Sequence, residues 1–155
     1  MSVSSDGKKI TDPVFPNDAV LSNDNRSNFT LKGEHKRSWT AENPDKHVGL
    51  CLKIDGGLIV STRQNRCDAG LLLDDDSLFL IEFKGKDYKH AVEQLKATKE
   101  YFEYNYSDYD LKFFARIVGK SFPKTSTTRQ TAIRVLEKSF GKNYKIFENQ
   151  GKETI

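Results

Sequence analysis

Glu82 and Lys84 lie inside LFLIEFK, residues 78–84, the most strand-like segment of the chain, with aromatic and β-branched side chains in a near-continuous apolar run. A charge in such a run is costly unless it is paired, bound to a metal or set at an open end. Side chains alternate across a strand, so Glu82 and Lys84 share one face while Phe79, Ile81 and Phe83 take the other and serve the core. Upstream, beyond a spacer of 13 residues, Asp68 is a second lone carboxylate opening a second apolar run, AGLLL. If the two runs pair through the turn DDDS, Asp68 and Glu82 fall side by side. Two carboxylates held that close repel and raise the affinity of at least one for a proton. A divalent cation removes the conflict, and oxygen donors of this kind suit Mg2+ or Mn2+. An adjacent ammonium orients or deprotonates a water, or neutralises charge growing on a phosphate. An Asp, then a Glu and a Lys two apart, therefore supply the parts of metal-assisted phosphodiester hydrolysis.

The surrounding pattern predicts the elements that would hold these groups. VGLCLKI, residues 48–54, reads as a strand. IDGGLIV, residues 54–60, reads as a hairpin, because Asp-Gly-Gly supplies the positive φ of a tight turn, with LIVST as its second strand. RQNR breaks the run, CDAGLLL resumes it, and Asp74, Asp75, Asp76 and Ser77 form a polar turn before LFLIEFK. Asp87 is placed to cap a helix starting at Tyr88, in which Ala91, Val92, Leu95, Thr98 and Phe102 recur at helical spacing over about five turns. YNYSDYD ends it and LKFFARIVG is another strand. A second helix fits 128–140, with Ile133, Leu136 and Phe140 inward and Gly141 as its stop. NYKIFE is a last strand, after which the tail is expected to fray. The crossover helix makes the strands at 78–84 and 111–119 parallel. Antiparallel strands followed by a crossover give a mixed α/β fold, a mixed sheet flanked by helices. Residues 1–28, rich in Ser, Asn, Asp and Gly, read as a loose arm, and 29–155 as one domain. The stretch 29–39 admits a short helix.

Asp68, the 13-residue spacer and Glu82-Phe83-Lys84, set in a strand–strand–helix–strand order, resemble the PD-(D/E)xK nuclease superfamily over residues 48–118. Its members share a restriction-endonuclease-like core of helix, three strands, helix and strand. They include restriction endonucleases, Holliday-junction resolvases and repair or toxin nucleases. The resemblance implies that Asp68 and Glu82 bind the metal and that Lys84 is the catalytic lysine. It implies for Gln94, on the flank of the following helix, a place at the site or on the phosphate. A further metal ligand often comes from an N-terminal helix; Glu34 and Glu42 are the candidates, with Glu34 preferred. Cys67 stands where the family name has proline. The glutamine–tyrosine pair of the RecB-like subgroup is not met, because position 98 is Thr98, and no P-loop is present.

The remaining composition bounds the reading. The chain has 155 residues, 36% hydrophobic and 30% charged, with a net charge of +3, which suits one domain with one core. The charge is uneven: residues 111–155 carry ten Lys/Arg against three Asp/Glu, and the preceding 110 carry fifteen against nineteen. Such asymmetry fits one side meeting phosphates while another gathers carboxylates, and equally fits a solvated basic face. Arg63, Arg66, Lys86 and Lys89 lie near the expected site as phosphate-gripping residues. Cys51 and Cys67 make neither a disulfide framework nor a zinc site, and His35, His47 and His90 have no zinc-like spacing, although His90 falls near Lys84. No apolar run is long enough for a bilayer, and no apolar block follows the first lysines, so a cytoplasmic protein without membrane attachment is expected. The function expected is a Mg2+- or Mn2+-dependent nuclease acting on nucleic acid, DNA ahead of RNA, with a homodimer or added subunit if it reads base sequence. The competing reading keeps the fold without the chemistry, as a nucleic-acid-binding or protein-interaction module of immunity or regulatory type.

Overall fold

The computed structural model describes residues 15–61, 63–84, 87–120 and 127–155, with the Lys84 side chain outside that description. A 3-10 turn at Asn17–Ala19 leads into β1 (Val20–Asp24), β2 (Asn28–Lys32) and β3 (Ser38–Glu42). Next come β4 (Gly49–Lys53), β5 (Ala69–Leu73), β6 (Ser77–Lys84) and α1 (Tyr88–Asn105). The chain closes with β7 (Lys112–Gly119), α2 (Thr127–Phe140), β8 (Tyr144–Glu148) and β9 (Gln150–Thr154). Six strands form one sheet in the order β1-β4-β5-β6-β7-β8, and β2-β3-β9 form a second. Pairing is antiparallel from β1 through β6 and parallel from β6 through β8, with α1 and α2 as the two crossovers. The fold is mixed α/β, as the order of elements predicts.

Both faces of the large sheet are covered, which explains its continuous apolar runs. In β6, Leu78 and Leu80 turn toward the helices, where Ala91, Val92, Leu95 and Phe102 of α1 and Leu136 and Phe140 of α2 meet them. Phe79, Ile81 and Phe83 turn the other way, onto Phe29, Leu31, Trp39 and Ala41 of the small sheet. All five residues of β5 are buried for the same reason. Asp87 caps α1 by accepting from the His90 N–H at 3.0 Å, and Gly141, at φ 61, ends α2.

The two sheets are also joined by a buried ion pair. Arg116 of β7 donates from Nε and Nη2 to the two carboxylate oxygens of Glu153 in β9, at 2.7 and 3.0 Å. Trp39 Nε1 donates to the same carboxylate at 2.8 Å. The guanidinium lies 5.2 Å from the Phe79 ring centroid and 5.8 Å from that of Phe114.

Four expectations are corrected. From Phe15 onward the supposed arm is packed: Phe15 and Ala19 are buried, and β1 pairs with β4. The stretch 29–39 is a β-hairpin, not a helix, because Phe29, Leu31, Trp39 and Ala41 alternate inward with period two. The segment after β4 does not return as a second strand. Leu58 and Ile59 drop into the core, and the chain curls on itself through Leu58 N–H to Lys53 O and Ile59 N–H to Ile54 O, both 2.9 Å. Finally, the tail does not fray; β9 pairs in parallel with β3.

Candidate active site

The β5–β6 ladder pairs Ala69 with Ile81, so one step outward brings Asp68 opposite Glu82. The two residues then exchange bonds across the strand ends. The Asp68 N–H donates to Glu82 Oε1 at 3.1 Å, and the Phe83 N–H donates to Asp68 Oδ2 at 2.8 Å. Asp68 O accepts from the N–H groups of Ile54 and Asp55 at 3.1 and 3.2 Å, which ties the same residue to the end of β4. Glu82 is only 1% exposed, whereas Asp68 is half-buried at the rim. The acidic pair that the spacing predicts is therefore present, on adjacent strands and held by the backbone.

α1 fixes this corner from below. Thr98 Oγ1 accepts from the buried Cys67 N–H at 2.8 Å and donates to Gln94 O at 2.7 Å. Threonine at position 98 thus has a task of its own, anchoring the residue before Asp68. Burial first, and then the charges of Glu82 and Asp68, push the Cys67 thiol well above its ordinary 9.0, so it stays protonated and is no nucleophile. Thr98→Val keeps the shape but leaves the Cys67 N–H unmatched, at a cost of about 1–3 kcal/mol. A melting temperature lowered by roughly 5 °C is expected by thermal denaturation; an unchanged value would show that this bond does not anchor the corner.

A cleft of about 580 Å³ opens beside the pair. Asp68 and Phe83 line one side, and Lys32, Gly33, Glu34, His35 and Arg37 of the β2–β3 hairpin line the other. Gly33 is required there, because a Cβ would run into the Phe83 ring. Farther along the same end of the sheet, the buried Tyr88 phenol is pushed up by burial and then by the Glu148 charge. The charges of Arg37 and Arg129 oppose that shift.

The other expected residues are placed as follows. Glu34 lies on the hairpin turn rather than on a helix, and among the described residues no α-helix precedes β4. It nevertheless faces the same cleft as Asp68. Glu42 ends β3 and lines a different recess with Asn28 and Thr154. Gln94 is partly buried on α1, with Oε1 buried and lacking a hydrogen-bond partner. Arg66 is committed elsewhere: Nε bonds Asp55 Oδ1 at 2.8 Å, and Nη1 bonds the carbonyls of Ser61 and Gln64 at 3.1 and 2.9 Å. Arg63 and Lys89 are exposed, the latter in the first turn of α1, and Lys86 lies outside the described residues. Within the basic C-terminal stretch, Arg116 is locked in its ion pair with Glu153.

Lys32, His35 and Arg37 were not singled out by spacing; the alternation of NFTLK and SWTAE around GEHKR is the signal that places them on a hairpin. Among the described residues, no three His, Cys, Asp or Glu side chains converge on one point. Two carboxylates, with the remaining positions left to water and substrate phosphate, are nonetheless a ligand set that Mg2+ commonly takes, so the donor chemistry fits. No helix among the described residues is long and apolar enough to cross a membrane. No protein-family model matches the chain, no curated protein matches it in sequence, and no solved structure matches it in fold.

Proposed function

We propose that the chain is a metal-dependent nuclease that hydrolyses phosphodiester bonds of nucleic acid, DNA ahead of RNA. The observation that carries this reading is the cross-strand pair of Asp68 and Glu82, bonded into each other's strands, with Glu82 buried and Asp68 lining a cleft whose far wall carries Lys32, His35 and Arg37. Antiparallel β4, β5 and β6, then α1, then parallel β7 follow the order expected of a PD-(D/E)xK core after its leading helix, which is absent among the described residues, and to that extent support the resemblance. Asp68 and Glu82 would hold Mg2+ or Mn2+. Once bound, such an ion polarises a phosphoryl oxygen and lowers the pKa of a coordinated water. The chain's own work is to keep two oxygen-rich side chains together and to align the strand carrying them. Phe83, between Glu82 and Lys84, is fixed at its N–H by Asp68 and at its ring by the hairpin. Lys84, which ends β6, is assigned the assisting amine from its place two residues after Glu82.

The test is incubation of the full chain with single-stranded, duplex and branched DNA and with RNA, in Mg2+, in Mn2+ and in EDTA. Cleavage of at least one substrate with either metal, and none in EDTA, is expected. Cleavage indifferent to EDTA, or no cleavage of any substrate, would overturn the proposal. Binding without cleavage would favour the alternative, a non-catalytic nucleic-acid-binding module.

A further inference from the structure

We propose that the β2–β3 hairpin is the backbone grip of this cleft, with Lys32, His35 and Arg37 holding neighbouring phosphates of a nucleic-acid strand across from Asp68. The inference rests on the nucleic-acid reading of the site and adds a binding element that lies outside the acid–acid–lysine set.

Four observations meet on this hairpin. Lys32, His35 and Arg37, residues that can donate hydrogen bonds to phosphate, line the same cleft as Asp68, with Glu34 as the single acid among them on that wall. The Arg37 Nε is buried without a hydrogen-bond partner. A guanidinium N–H so placed is satisfied by an incoming acceptor oxygen, and the planar fork of arginine matches phosphate geometry. At the tip, His35 and Lys36 occupy left-handed backbone at φ 57 and 59, the two central positions of a turn closed by Arg37 N–H to Glu34 O at 3.2 Å. Glycine or asparagine fits such positions with less strain, so at His35, which lines the cleft, the turn keeps a side chain of donor chemistry against its own backbone preference. The base of the hairpin is also seated on the catalytic strand itself. Gly33 lies against the Phe83 ring so closely that no Cβ fits, and the Phe83 N–H is bonded to Asp68. The grip and the acidic pair are thereby held in one register, which is what positioning a phosphodiester over the pair requires.

The experiment is fluorescence anisotropy of short labelled single-stranded DNA, duplex DNA and RNA with the full chain in EDTA, followed through a salt titration. Arg37→Gln and Lys32→Gln are compared with Lys142→Gln, an equal charge change in the turn that precedes β8, at the opposite end of the parallel strands. Each hairpin variant is expected to lose about tenfold in affinity. Each should also flatten the slope of log K against log salt by about 0.7 on a single strand or 0.9 on a duplex. Lys142→Gln should change neither quantity by as much. Lys32 is exposed, so its variant cannot fail merely by unfolding. The three nucleic acids identify which backbone is held. Hairpin variants that match the wild type or the Lys142→Gln control, or a wild type that binds none of the three, would overturn the grip. Weakened binding by hairpin variants of a chain that never cleaves would leave the grip standing and remove the nuclease reading instead.

Discussion

Glu82→Gln is expected to lower Mg2+-dependent cleavage on the order of 10³-fold while the protein stays folded. The magnitude follows from the several kcal/mol of charge stabilisation that a bound cation supplies, at 1.36 kcal/mol for each factor of ten. The substitution is conservative where the fold is concerned. A glutamine carbonyl can still accept from the Asp68 N–H, as Glu82 Oε1 does at 3.1 Å, and it removes a charge that is 1% exposed. Asp68→Asn is conservative for the same reason, because its side-chain carbonyl can accept from the Phe83 N–H in place of Oδ2. If the two carboxylates act as one ligand set, the double variant will be scarcely slower than either single one, since groups that work as a unit are non-additive. Single-turnover cleavage rates of the four proteins, with melting temperatures alongside, decide the matter. Multiplying rate losses in the double variant would mean that the two acids act separately. Unchanged rates in Glu82→Gln would remove the catalytic assignment altogether.

The acidic pair is legible in the sequence because its register is a local matter. Two apolar runs joined by Asp74, Asp75, Asp76 and Ser77 have few ways to pair, and burial on both faces writes them as unbroken hydrophobic segments. The hairpin facing Asp68 is not legible in that way. Its tip residues, His35 and Lys36, lack the glycine or asparagine that advertises a left-handed turn, and Gly33 lies two residues before the first of them, serving a close approach to Phe83 instead. β9 is harder still. In QGKET only Gly151 and the Glu153 carboxylate turn inward, with no apolar side chain to mark a core face, and its partner strand β3 lies more than a hundred residues upstream. Local propensity carries no trace of so remote a pairing. The segment IDGGLIV shows the opposite failure. Its turn chemistry is strong, but Leu58 and Ile59 gain more by entering the core than by pairing in a ladder, and only Val60, 73% exposed, is left outside.

Glu153→Gln is expected to destabilise the fold by about 3–5 kcal/mol, the usual cost of removing one partner from a buried pair, which for a chain of this length is a fall of roughly 10 °C in melting temperature. Arg116 is 5% exposed and Glu153 7% at their side chains, so neither charge can turn to water when the other is lost. Glutamine can still accept from Trp39, and the uncompensated guanidinium is therefore the dominant cost. A double Arg116→Leu, Glu153→Leu variant should lie closer to the wild type than Glu153→Gln does, short of it by the Trp39 N–H that has lost its acceptor. The sign with pH is equally specific. Burial alone would raise the Glu153 carboxyl, but the bonds and charge of Arg116, the Trp39 bond and the Lys145 charge outweigh it and hold the group below its ordinary 4.5. A depressed native value means that this stabilisation is present in full above the unfolded value and disappears as pH falls through the native one. Urea denaturation of wild type and Glu153→Gln should thus show a wide gap at neutral pH that closes in acid below about 4.5; a gap independent of pH would refute the assignment. The loss should also reach the cleft. Glu153 holds β9 to β7, β9 pairs with β3, and β3 is one arm of the hairpin that faces Asp68, so loosening this clamp frees the far wall of the site before it touches the acidic pair.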